Sequence, residues 1–294
     1  MNHHDPGVAW GIDYTGDLPI WILVGSLAYW YLTSTARLKR KSPSQPWAGR
    51  YSWCFLIGLA WFTLVTTGPI AYVAMTYFCL HMVQHLVLMM LASPLIVMGA
   101  PVLLLLRANP AKTRRKWILP VLRSRVFGIA TNPVVSWLVF AGVLIGVHFS
   151  PLMSWLMDVG LLGRYLEYGL YVTVAFMYYY ALLPGNPAVN RISPAARVFS
   201  LFLMMIPETM TGFFIYSAEF PLFPYFVRMS SKVGADPVAD QQLGGALMWS
   251  TGMIIDVAWI AVAVHEWFGS ETIKTRRLDG QIQREMERGK EAGS

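Results

Sequence analysis

Charged residues are scarce in this sequence: Asp, Glu, Lys and Arg together make up 13% of its 294 residues, against 55% hydrophobic residues. Soluble domains carry about 25% charged residues, so with a mean hydropathy of +0.47 a soluble globule of this length is excluded. The apolar runs lack the period-two alternation of a membrane barrel. They are long and continuous, and the helix is the other structure that satisfies its backbone hydrogen bonds in hydrocarbon. Cysteine is nearly missing. Cys54 and Cys79 are expected at opposite ends of their spans, which excludes a disulfide between them. Lys and Arg are missing from the first 17 residues, "MNHHDPGVAWGIDYTGD". That is the reverse of the basic lead of a signal peptide, and no cleaved segment is expected.

A span needs roughly 20 apolar residues. Seven segments meet this, at about 18–36, 51–70, 79–106, 134–150, 162–183, 198–217 and 243–267. The sequence therefore predicts an all-α polytopic membrane protein, a seven-transmembrane-helix bundle over 18–267, with an arm at 1–17 and a charged tail at 268–294. Basic residues orient it. Of the 23 Lys and Arg, all but Arg164, Arg228 and Lys232 fall in 37–50, 107–132, 184–197 or the tail. The amino terminus is thus expected outside and the carboxyl terminus, with the tail, in the cytoplasm. This asymmetry accounts for the net charge of +7, so nucleic acid is not an expected partner. The basic segment 107–132 holds Trp117, Ile118, Leu119 and Val121 among its charges, which suits a stretch lying on the anionic headgroups of the bilayer. The tail reads as a short, solvated helix. The outer loop 218–242 is aromatic and long enough to form a partial lid.

Imidazoles are rare inside spans, and the stretch "CLHMVQHLVLMM" at 79–90 holds two. Successive helical residues turn by about 100°. With His81 at zero, His85 falls near 40°, Met89 near 80° and Met82 near 100°, an arc of about a quarter turn, whereas Cys79 lies opposite. His148, in "GVHFSPLMSW", ends the fourth span at the same expected depth. His3 and His4 are placed outside and His265 inside. Imidazole with thioether suits copper(I), whereas magnesium or calcium would want carboxylates. Zinc would recruit an Asp, Glu or Cys, and no carboxylate is read beside the pair. The alternative is that each imidazole is a hydrogen-bonded helix-end residue. Pro94 is expected to free a carbonyl and bend the third span.

Acids within spans are costly and suggest function. Glu208, beside Pro207, and Asp256 sit mid-span, and Glu167 lies higher in the fifth span; interhelical hydrogen bonding competes with a role in metal or proton movement. At the start of the last span, Asp240 is a plausible cap for its own helix. Gly244 and Gly245 permit close helix approach, and Met248 lies one to two turns below the outer surface. Asp240, Gln241 and Gln242 could hydrogen-bond the imidazoles from behind or only cap the helix.

"HMVQHLVLMMLASPLIVMGAP", "HFSPLMSW" and "DQQLGGALMW" resemble, in order and spacing, the signature regions of the multi-span CtaG family of bacterial cytochrome c oxidase assembly proteins, over residues 20–267. The resemblance implies a multi-pass protein of the bacterial plasma membrane that supports maturation of haem-copper oxidases at the copper-delivery stage. It is expected to be a non-enzymatic chaperone whose partners are an oxidase subunit and a periplasmic copper chaperone. By motif it carries over His81, His85 and His148 as metal ligands. Met82 and Met89 join them from helical phase, and Asp240, Gln241, Gln242, Met248 and Glu208 are supporting residues. Two other classes stay open. Glu208, Asp256 and the kinked spans could line a copper transport path to His265, or His85 and His148 could be axial haem ligands. The last span has no lysine for a retinal Schiff base. His265-Glu266 lacks the second His of a zinc-protease helix, and no serine is paired with a His and an acid.

Overall fold

Proline and capping side chains set where the helices begin. In the computed structural model, which describes residues 14–41, 46–183, 185–187 and 192–292, these residues are helical with short connections and no strand. The principal helices are α1 (Leu18–Lys41), α2 (Gly49–Thr66), α3 (Phe78–Ala108), α4 (Pro133–His148), α5 (Leu161–Leu182), α6 (Pro194–Ser217) and α7 (Pro237–Ala292). Helices α4, α6 and α7 start with a proline, whose missing N–H is no loss in a first turn. Asn132 caps α4 by accepting from the Val134 and Val135 amides at 3.0 and 3.3 Å, and Ser193 caps α6 by accepting from Ala196.

Three of the described helices are long and apolar enough to cross a membrane: Phe78–Ala108, Pro194–Ser217 and Pro237–Gly269. Helix α4 with the short helix Leu152–Asp158, bent by 70°, makes a fourth if the pair is one span. Helices α1, α2 and α5 have 24, 18 and 22 residues but are diluted by Tyr, Trp, Ser and Thr, and α5 also carries Arg164 and Glu167. The expected tail helix is not separate; α7 runs on to Ala292. His3 and His4 lie outside the described residues.

Helix α3 is the central element. Its apolar stretch is 61% buried, against 33% in α6 and 28% in α7. It packs on α1, α2, α5 and α7, while α6 bridges α7 to α4 and α4 packs on α5. Small residues let the backbones approach as the sequence suggested. A Cβ on Gly245 would stand 2.5 Å from the Tyr216 amide and 2.8 Å from the Gly212 carbonyl, and one on Gly244 would stand 2.5 Å from the Phe78 ring.

Helix α3 is interrupted as Pro94 requires, by a π-helical segment at Val87–Ala92. Such widened turns accommodate a lost backbone bond. Pro94 offers no N–H to the Met90 carbonyl four residues back, and Trp259 Nε1 of α7 donates to that oxygen instead, at 2.8 Å. Ser93 Oγ donates to the Leu88 carbonyl at 2.8 Å. A second break at Gly99–Ala100, where Ala100 is left-handed (φ 50°), is bridged by Asn186. Its Nδ2 donates to the Val97 carbonyl at 2.8 Å, and its Oδ1 accepts from the Val102 amide at 3.1 Å.

Candidate metal centre

The i, i+4 spacing on α3 sets His81 and His85 one above the other, with ring centroids 4.1 Å apart. Both are buried, at 1% and 5% exposure. Each Nε2 lies 3.2 Å from Oε1 of Glu167, which α5 carries at 0% exposure. The absence of a carboxylate beside the pair is therefore corrected. Glu167 stands between the two imidazoles, and His81, His85 and Glu167 each offer a ligand atom within 4.8 Å of the others. The Tyr171 ring packs on His85 at 4.3 Å.

His148 closes the other side, its ring 5.7 Å from that of His85. Its Nδ1 lies 2.7 Å from the Leu144 carbonyl. A carbonyl can only accept, so Nδ1 carries the proton and Nε2 keeps its lone pair. That Nε2, like Nδ1 of His85, is buried with no hydrogen-bond partner. Below the histidines is a cavity of about 20 Å³, room for one water or one small ion. Met82, His85, Met89 and Met90 of α3 line it, with His148, Glu208 and Met248 on the facing helices. Helical phase therefore brings Met82, Met89 and His85 to one wall, and the bundle adds His148, Met248 and Glu208. His81 is not in that wall and faces Glu167.

Glu208 of α6 stands in the cavity wall and Asp256 of α7 does not; both carboxyls are buried, at 6% and 2% exposure. His265 is not among the cavity residues.

The polar residues that open α7 do other work than supporting the imidazoles. Asp240 does not cap its own helix. Asp236 does, accepting from the Val238 and Ala239 amides at 2.9 and 3.3 Å. Asp240 reaches across to α3 and accepts from the Phe78 and Cys79 amides at 2.6 and 3.2 Å. Gln241 accepts from the Leu222 amide at 2.7 Å and donates to the Phe220 carbonyl at 3.2 Å, and Gln242 donates to the Ala218 carbonyl at 3.3 Å. These glutamines strap down the loop after α6, and neither is bonded to a histidine.

That loop continues into the amphipathic helix Pro224–Val233, whose buried Tyr225, Phe226 and Ser230 face inward. The Phe226 ring lies 5.4 Å from His81 and 5.3 Å from Phe78, and Phe223 stacks on Phe78 at 4.4 Å. The segment thus covers the His81 end of the site. Burial pushes the Tyr225 hydroxyl up to about 12, so this cover carries its Tyr225 hydroxyl uncharged at neutral pH.

Sequence reasoning named Glu167 as an acid high in the fifth span but missed its place between the imidazoles, and it missed Tyr171 and the Arg164–Asp17 pair one turn away. Arg164 Nη2 donates to Asp17 Oδ1 at 2.7 Å, and Asp17 Oδ2 accepts from the Gly68 amide at 2.7 Å. The depth argument that matched His148 to the α3 pair would also have found Glu167, in the second turn of α5.

The family of the cytochrome c oxidase caa3 assembly factor (Caa3_CtaG) matches this chain over residues 29–270. Uncharacterized proteins of Mycobacterium bovis and Mycobacterium tuberculosis are each 25% identical to it over 248 residues, covering 82% of this chain, and one of Mycobacterium leprae is 24% identical over 244 residues, covering 81%. The chain spans 37% of the length of these curated relatives. No solved structure matches it. The matched interval includes α3 with both of its histidines, His148, Glu167, Glu208 and the start of α7, and the chain belongs to the cytochrome c oxidase caa3 assembly factor (Caa3_CtaG) family.

Proposed function

We propose that this protein is a non-enzymatic assembly factor that holds copper(I) near the outer face of a bacterial plasma membrane and passes it to a subunit of a haem-copper cytochrome c oxidase, receiving it from a periplasmic copper chaperone. Family membership supports the oxidase as partner. In this reading helices α1 to α7 are seven spans of a domain at 18–267, with the arm 1–17 outside and the tail 268–294 in the cytoplasm. The observation that carries the copper reading is the cavity, where thioethers of Met82 and Met89 meet His85 and His148. Thioether and imidazole are the donors that suit copper(I), and the unpartnered Nδ1 of His85 and Nε2 of His148 are lone pairs without another use. His81, under the outer cover, serves as the entry ligand, and Met248 is a further thioether. Bound copper would supply a soft, exchangeable cargo. The chain's own part is to exclude water and present few enough ligands for the ion to leave.

The test is copper per chain in purified protein under reducing conditions. Met82→Leu with Met89→Leu, and separately His85→Ala with His148→Ala, should each abolish stoichiometric copper(I). Unchanged stoichiometry and affinity in both would refute the site. In cells, deletion of the protein should lower the copper content and activity of the terminal oxidase, and liposomes carrying the protein should bind copper without transporting it.

A further inference from the structure

The copper(I) reading leaves Glu167 unexplained. It is a carboxylate at 0% exposure with its Oε1 3.2 Å from two imidazole nitrogens and its Oε2 without a hydrogen-bond partner. A lone anion so deep is strongly unfavourable unless a cation or several donors meet it. The cation one turn above does not serve, because Arg164 is turned to Asp17 at 2.7 Å. What faces Glu167 is the Nε2 atoms of His81 and His85 and the Tyr171 hydroxyl, and neither His81 Nε2 nor that hydroxyl makes a well-aligned hydrogen bond.

We propose that His81, His85 and Glu167 form a second metal site, for a borderline divalent cation of the zinc or copper(II) class, next to the thioether cavity and distinct from it in the ion it selects. Three lines of chemistry agree. The donor set, two neutral nitrogens and one carboxylate oxygen, is that of divalent transition ions, whereas thioethers select copper(I). The spacing fits: ligands about 2.1 Å from a tetrahedral ion stand roughly 3.4 Å apart, and both nitrogens stand 3.2 Å from the carboxylate oxygen. Charge fits as well, since a dication between two neutral imidazoles and one carboxylate leaves no uncompensated anion. Only three protein donors converge, so a fourth position is left for water or an incoming ligand. His85 belongs to both groups. It contacts Glu167 through Nε2 while Nδ1 has no partner; a neutral imidazole has one lone pair, so the two sites share this ring and fill one at a time, its proton on Nδ1 with the divalent ion and on Nε2 with copper(I).

The inference goes beyond the copper(I) reading and does not depend on it. The experiment titrates detergent-purified protein with Co²⁺, read by its visible absorption, and with Zn²⁺ in competition against a chromophoric chelator, with copper(I) stoichiometry measured in parallel. Wild type should bind one Co²⁺ displaceable by Zn²⁺. Glu167→Gln, which keeps the shape and removes the charge, should weaken this by more than the roughly 10- to 100-fold typical of losing a residue behind a ligand, while copper(I) per chain stays at the wild-type level. His81→Gln repeats the Co²⁺ arm alone should the first variant fail to elute as a monodisperse species, since His81 is also the entry ligand of the copper(I) reading. Met82→Leu with Met89→Leu should do the reverse, and His85→Ala should lose both ions. The proposal is overturned if wild type binds no divalent ion, which would make Glu167 the partner of protonated imidazoles. It is overturned equally if both Glu167→Gln and His81→Gln bind Co²⁺ as wild type does, or if the Met pair removes both ions together. Absence of copper(I) binding with intact Co²⁺ binding would refute the copper reading alone.

Discussion

Asp240 of α7 caps the helix that carries the histidines: its carboxylate accepts the Phe78 amide at 2.6 Å and the Cys79 amide at 3.2 Å, across 162 and 161 residues of chain. A carboxylate at a helix N-terminus satisfies orphan donors and meets the positive end of the helix dipole. His81 follows within one turn, so the cap also holds the depth and rotation of the metal-site helix against α7.

Asp240→Ala should therefore lower stability by about 1 kcal/mol, within the usual range for a lost cap, and weaken metal binding although Asp240 touches neither imidazole. Asp240→Asn should retain most of both, because an asparagine oxygen caps nearly as well. Thermal unfolding and metal titration on the same preparations check this. Equal loss in both variants would mean that the charge, and not the hydrogen bonds, is what matters.

How far this was legible in the sequence depends on whether a feature is local. The phase of one helix is a local property, so Met82, Met89 and His85 could be read onto one wall from their spacing, and Pro94 marked the break in α3. The matched depth of His148 followed from the run of basic residues. Azimuth between helices is not local. Glu167 was legible as an acid high in the fifth span, but which helix it faces depends on α5 packing beside α3. Asp240 was misread for the same reason. The local rule for a helix start favoured its own helix, and Asp236 satisfies that rule four residues earlier, leaving Asp240 free to cap another. Seven apolar segments were readable, yet three of the helices plus one bent pair are long and apolar enough to span. Part of the Tyr, Trp and polar content of α1, α2 and α5 is spent on contacts between helices, such as the Tyr31 hydroxyl donating to the Gly99 carbonyl at 2.7 Å, while Trp21, Tyr29 and Trp53 stay exposed.

The indole of Trp259 replaces a bond that Pro94 cannot make, donating to the Met90 carbonyl at 2.8 Å. Trp259→Phe keeps an aromatic ring and removes the N–H donor along with part of the indole. It should cost about 1–3 kcal/mol, the penalty for a buried acceptor left without a partner. Because Met89 and Met90 line the cavity, copper(I) affinity should fall with it, whereas Co²⁺ binding one turn above should change little. Parallel titrations with the two ions decide the point.

The Arg164–Asp17 pair, at 0% exposure on both sides, ties α5 to the approach of α1 and, through the Gly68 amide, to the start of the helix Gly68–Val73. Removing one partner leaves the other charged and buried. Arg164→Met should cost about 3–5 kcal/mol, and adding Asp17→Leu should recover most of that, leaving roughly 1 kcal/mol for the orphaned Gly68 amide. A double-mutant cycle in thermal unfolding measures it. If the double variant is as unstable as Arg164→Met, the pair contributes through specific contacts and not through charge compensation.

The aromatic cover over His81 should set the rate of metal exchange. Phe226 is 3% exposed and sits against the His81 and Phe78 rings, on a helix of ten residues held by Phe223, Tyr225, Phe226, the glutamine straps and a half-exposed Arg228–Asp158 ion pair. Few contacts hold the segment, so it belongs to the part of the fold that opens at least cost. Truncation at Phe226 removes a large share of what closes it, and each 1.4 kcal/mol lost from closure makes opening tenfold more frequent. Phe226→Ala should accelerate metal release to a strong chelator by at least about tenfold, with stoichiometry unchanged, since no ligand is removed. Stopped-flow chelator competition measures the rate. A wild-type rate in Phe226→Ala would show that ions reach His81 by another route, and a loss of stoichiometry would show that the cover also shapes the ligands beneath it.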